Sequence, residues 1–130
     1  MQALRYALAA VAVLFVLAVL LQVYLAGSAL FAAGSWQTHV DVGYTVAIVP
    51  VLLSILAFVA RAGRTTIWLA VATLVVTQVQ TFLPLFRDAA PWLAAVHPVN
   101  AMLVFGLAVL VAWRAVALAR ADSAVVATGP

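Results

Sequence analysis

The chain has no cysteine, no lysine and no glutamate, and only 7% of its 130 residues are charged. Without cysteine it can hold no disulfide, no thiol redox centre, no iron–sulfur cluster and no c-type haem attachment. Four-helix quinone-linked oxidases that form disulfides are excluded on the same ground. The lack of glutamate removes proton-coupled export as run by small four-helix multidrug transporters, which depend on a membrane-embedded Glu. A net charge of +3 comes from scattered arginines and leaves no footprint for nucleic acid. Missing lysine beside abundant Ala, Val and Arg points to a GC-rich bacterial genome.

What remains is apolar: 69% of the residues are hydrophobic. Four stretches, 5–31, 38–60, 65–86 and 92–118, each reach the ~20 residues that a membrane-spanning helix needs. Short breaks between them carry Gly, Pro, Trp and nearly all the charges. This pattern predicts an all-α integral membrane protein, an up-and-down four-helix bundle forming one domain over 1–120. The first stretch is too long for a signal-peptide core and contains Gln22, so it reads as an uncleaved helix. Residues 121–130, small and ending in Gly129-Pro130, read as a disordered tail.

Arginine placement sets the expected orientation. Arg5, Arg61, Arg64, Arg114 and Arg120 fall at one end of the bundle and Arg87 alone at the other. Under the positive-inside rule both termini are cytoplasmic, and the protein belongs in a bacterial cytoplasmic membrane. His39 and His97 then face the outside, with Trp36 and Trp92 as an aromatic belt.

Polar residues converge near that outer face. At a rise of ~1.5 Å per residue, Gln22 stands roughly 26 Å above Arg5 and Gln80 roughly 24 Å above Arg64. His97 stands roughly 26 Å above Arg114, and His39 roughly 33 Å above Arg61, about one turn higher. Intramembrane amides and imidazoles are costly and normally face the bundle interior, where they find partners. Gln22 and Gln80 read equally as interhelical glue. Between Gln78 and Gln80, the stripe Thr73, Thr77, Gln80 favours Gln80 as the inward residue. Gly43 and Ala101, one turn after the histidines, leave room on the same faces. Pro98 marks a kink or a restart that aims His97 inward, and Asn100 shares its face.

Helices 2 and 4 lie diagonally in such a bundle, which suits two imidazoles on opposite faces of one haem iron. Haem accepts histidine ligands readily, and bis-axial ligation closes the metal to oxygen chemistry while allowing electron transfer. His39 and His97 are therefore the candidate metal ligands. Gln22, Gln80 and Asn100 are candidates to orient them, and Arg87 is the candidate partner of a propionate. Two histidines without Cys or Glu fall short of a zinc site.

His39 with Gly43, a His-x-x-x-Gly on helix 2, together with His97 on helix 4, resembles one half-unit of haem A synthase. It resembles cytochrome b561-type bundles more loosely, and also small bacterial four-helix membrane proteins with a Gln on helix 1. The resemblance spans the whole chain as one half-unit and implies b-type haem binding near the outer face. Trp36 stands where haem A synthases carry an acidic residue, and their outer-loop cysteine pair is missing. The implied function narrows to binding haem, for electron transfer or haem handling, without oxidising its methyl group. The implied partners are membrane lipid, a quinone or redox protein, and a second copy or larger membrane complex. Two other readings stay open: a non-catalytic membrane subunit without cofactor, and a quinone- or lipid-binding bundle.

Overall fold

In the computed structural model, which describes residues 1–127 and the side chains of 1–121, the described residues are helical throughout apart from short turns. The first span is α1 (Gln2–Leu30). The second is α2 (Trp36–Val46) followed by α3 (Val49–Val59). The third is α4 (Arg64–Phe82) with a 3₁₀ turn over Leu83–Phe86. The fourth is a single turn, α5 (Pro91–Ala94), and then α6 (His97–Ala127). Four of these spans are long and apolar enough to cross a membrane.

Exposure supports that setting. Large apolar side chains face outwards along every span, among them Leu14, Phe58, Trp68, Met102 and Trp113. In water such a surface invites aggregation; in lipid it is the solvated face. The interior is narrow and built from small residues, including Ala12, Ala57, Ala70, Ala108 and Ala115, which let helices approach closely. The α1 helix packs along α2, α3 and α6, and α4 packs along α3 and α6. The second and fourth spans therefore sit across the diagonal, as the up-and-down order requires.

Two boundaries differ from the sequence expectation, and a third, the restart at His97, is one of the two outcomes expected of Pro98. The second span is broken at Ala47–Ile48 because Pro50, at the start of α3, has no N–H to continue the ladder. Here Val51 N–H turns back to Ile48 O, and the freed Ala47 carbonyl accepts from Gln78 Nε2 on α4 at 3.0 Å. The fourth span restarts at His97 with Pro98 in its first turn, a position proline tolerates. Finally, α6 runs on to Ala127, so 121–127 are helical instead of a disordered tail. The stretch after Arg120 is rich in alanine and meets no Gly or Pro before Gly129. Gly129 and Pro130 lie outside the described residues.

The two hairpins repeat each other. Buried positions Leu8, Ala12, Phe15 and Val19 of α1 correspond to Thr66, Ala70, Thr73 and Thr77 of α4, with residue numbers differing by 58 throughout. The same offset carries Pro50, Leu53 and Ala57 of α3 onto Ala108, Val111 and Ala115 of α6, also buried. It carries Gln22 onto Gln80 and His39 onto His97 as well. The two hairpins thus turn the same faces inward at a common offset, although the second span breaks at Ala47–Ile48 where α6 runs on unbroken.

Within that core the Thr77 hydroxyl is buried and has no hydrogen-bond partner. Its counterpart in the other hairpin is Val19. Replacing Thr77 by Val, nearly the same shape, is expected to raise stability by about 1 kcal/mol, since an unsatisfied buried hydroxyl is removed. Thermal unfolding in detergent measures this, and a lowered midpoint would mean that the hydroxyl has a partner.

Candidate functional site

Ser35 caps α2 by accepting the Gln37 N–H at 3.0 Å, and this sets the phase at which His39 leaves the helix. On α6 the restart at His97 does the same for the second ring. Both imidazoles point into the bundle and are half-buried near one end. Their centroids are 6.3 Å apart with planes at 78°.

Nδ1 of each ring faces a backbone carbonyl of the preceding helix. His39 Nδ1 lies 3.2 Å from Gln22 O, and His97 Nδ1 lies 3.0 Å from Gln80 O. A carbonyl oxygen can only accept, so Nδ1 of His97 carries the proton. At His39 the Gln22 amide Nε2 stands 3.1 Å from the same nitrogen, and the tautomer sets which of the two contacts is the hydrogen bond. In His97 the Nδ1-protonated tautomer leaves Nε2 with a free lone pair, the arrangement of a metal-binding histidine whose other nitrogen is anchored. The two bonds span the same sequence separation, 17 residues, and are related by the hairpin repeat.

The rings are close enough for one bound group to be held by both. No group of three or more His, Cys, Asp or Glu side chains gathers among the described residues. Two histidines are too few for a metal cage made by protein alone, so a metal held there would need ligands of its own.

The amides expected near the rings are there, in different roles. The sequence assigned their side chains to orient the imidazoles, whereas the Gln80 main-chain oxygen does so at His97 and the Gln22 main-chain oxygen stands against His39. The Gln22 side chain instead clasps α2, its Oε1 accepting from Gly43 N–H at 3.2 Å and its Nε2 donating to His39 O at 3.0 Å. Its Nε2 also lies 3.1 Å from His39 Nδ1. Glycine at 43 gives this approach room, since a Cβ there would stand 3.2 Å from the Gln22 amide, which would have to shift by a few tenths of an ångström.

On the other hairpin, buried Asn100 donates from Nδ2 to Gln80 Oε1 at 2.7 Å and to Val76 O at 3.0 Å. It braces the α4 turn whose carbonyl holds His97. Gln80 therefore faces α6, while Gln78 reaches α3 at the helix break, so both glutamines find interhelical partners. Arg87 is not brought to the pair: it stays with Asp88 at 3.6 Å, both side chains exposed.

One neighbour escaped the sequence reading. Trp36, expected only in an aromatic belt, sets its ring edge-on to His39 at 6.0 Å and 87°. Its position three residues before His39 was the available signal, since residues three apart share a helix face. Below the pair, a groove of about 570 Å³ opens between the second and third spans, lined by Tyr44, Ile48, Leu74, Gln78 and Thr81.

A family profile matches residues 22–89, a little over half of the chain. The chain belongs to the family of unknown function DUF6220. The segment matched to DUF6220 begins at Gln22 and takes in His39, Gly43, Gln78 and Gln80. No curated protein and no solved structure matches the chain.

Proposed function

We propose that this DUF6220 protein is a small b-type haem protein of the bacterial cytoplasmic membrane, with His39 and His97 as the two axial ligands. The observation that carries this reading is the paired geometry. Two imidazoles stand 6.3 Å apart, each with Nδ1 against a main-chain carbonyl, and Nε2 of His97 is left free. Resemblance to a haem A synthase half-unit supports it. Haem held by two histidines supplies one-electron transfer and offers no open position. The residues here orient both rings, through Gln22, the Gln80 carbonyl and the Asn100 brace, and bury them on the inner side. With five arginines at the opposite end, the positive-inside rule places the histidine pair at the outer face and both termini in the cytoplasm. A redox exchange at that face involves a quinone or an outer protein, or a second haem in a neighbouring copy.

The decisive experiment is a reduced-minus-oxidised absorption spectrum of protein purified from haem-replete cells. Soret and α bands of a six-coordinate b-type haem are expected, and they disappear in the His39→Ala, His97→Ala double variant. A wild-type protein without those bands refutes the reading, as does a double variant that keeps them. The interhelical bonds from Gln78 and Asn100 favour a second reading, in which the polar layer only locks the helices together. That reading requires a colourless protein whose folding and assembly survive the replacement of both histidines by Gln.

A further inference from the structure

We infer that the arginine-rich end carries a binding site for the headgroup of an anionic phospholipid, in a groove between the third and fourth spans. The groove measures about 230 Å³ and is lined by Ala62, Thr66, Trp113, Arg114, Ala117 and Leu118. Its one charged group is the Arg114 guanidinium, which belongs to a span running from Pro91 to Ala121.

Snorkelling alone accounts poorly for Arg114. A free arginine at a helix end extends along its own helix towards water. Arg114 instead reaches sideways, its Nε donating to Thr66 Oγ1 on α4 at 3.0 Å, and Thr66 is buried. This bond fixes the plane of the guanidinium and leaves its two terminal nitrogens for another acceptor. Among the described residues no carboxylate pairs with Arg114. A fixed, half-buried cation in a membrane-spanning helix calls for an anion.

Charge and shape say which anion. Arg61, in the turn leading into α4, and Arg64, at its first residue, lie at this end, so the surrounding potential is positive. Basic pockets between membrane helices on the arginine-rich side take phospholipid headgroups, and arginine meets phosphate oxygens bidentately. Beside the guanidinium the exposed Trp113 ring, followed one turn nearer the membrane midplane by exposed Val109 and Leu110, gives an apolar wall along α6 suited to an acyl chain. A soluble phosphate would use the guanidinium and leave that wall uncovered. Phosphatidylglycerol has the required single negative charge and tails.

Delipidated full-length protein, titrated with phosphatidylglycerol or with phosphatidylcholine of the same acyl chains, tests this by native mass spectrometry. Phosphatidylglycerol is expected to bind about five- to tenfold more tightly than phosphatidylcholine, and Arg114→Gln is expected to erase that preference. Arg120→Gln, at an exposed position of the same helix, keeps it. Millimolar inorganic phosphate is expected not to displace the lipid. Equal retention of both lipids overturns the proposal, as does an undiminished preference in Arg114→Gln or an equal loss in Arg120→Gln. Displacement by inorganic phosphate overturns it too, by making the ligand a soluble anion. Should Arg114→Gln fail to fold, Thr66→Val releases the guanidinium while keeping its charge. A roughly twofold or greater weakening of phosphatidylglycerol alone then supports the site, and unchanged binding refutes it.

Discussion

Removing either histidine alone is expected to convert a six-coordinate haem spectrum to a five-coordinate, high-spin one, and to lower haem retention many-fold. The chain offers few substitute ligands: its tyrosines, Tyr6, Tyr24 and Tyr44, are 47%, 69% and 56% exposed. It has no cysteine or lysine, and its methionines are Met1 and Met102, the latter 75% exposed on the outside of α6. The hairpin repeat adds a sharper expectation. Since His39 and His97 face equivalent carbonyls, His39→Ala and His97→Ala should resemble each other spectroscopically. Each variant leaves an imidazole-sized gap on one side, so free imidazole in the buffer should restore the six-coordinate bands. A purely structural histidine gives another result. Its loss removes one side-chain hydrogen bond, worth about 0.6 kcal/mol on average inside a membrane, and produces no spectral change for imidazole to rescue. If only one of the two variants lost its bands, shared ligation by the pair would be wrong.

Much of the scaffold was legible because membrane spans announce themselves by length and apolarity. The four stretches correspond to the four observed spans, and diagonal placement of spans two and four follows from short connections. Depth was harder to read. Counting rise along straight helices put His39 about one turn above His97, yet the rings are neighbours. The count assumed an unbroken second helix, whereas Pro50 interrupts it at Ala47–Ile48 and α6 starts only at His97. The direction of local geometry around a proline depends on what accepts the freed carbonyl, here Gln78 from another span. Sequence spacing does not carry that information.

Side-chain identity also misled about who holds the rings. Glutamine at 22 and 80 suggested amide groups as the orienting partners. Main-chain carbonyls at the same two positions face the rings, and any residue there supplies one. What the glutamine side chains add is a grip on the next element: Gln22 on the α2 backbone, Gln80 on Asn100. The repeat itself is faint in the letters, because Thr66, Thr73 and Thr77 stand opposite Leu8, Phe15 and Val19. It becomes plain only when burial is mapped, since both sets then fall on inward faces in the same register.

That asymmetry of volume predicts the largest loss of stability. Phe15 is 1% exposed and is the largest fully buried side chain, while its counterpart in the second hairpin is the much smaller Thr73. The first hairpin therefore fills with one ring a core level that the second fills with a threonine. Phe15→Ala is expected to cost about 3 kcal/mol, the lower end of the range for such truncations. The lower end applies because separated helices in lipid still bury their apolar faces in acyl chains, so the transfer contribution nearly cancels. Lost dispersion contacts and the remaining cavity are not compensated in this way. Leu14, its neighbour in sequence, is 63% exposed to the lipid side, and Leu14→Ala is expected to change stability by less than about 0.5 kcal/mol. Unfolding of both variants in mixed micelles gives the comparison, and equal costs would contradict the inward placement of Phe15. Phe15 also lies two turns, roughly 10 Å, below Gln22. Folded Phe15→Ala protein should thus keep the haem bands of the wild type, which separates the packing layer from the histidine layer above it.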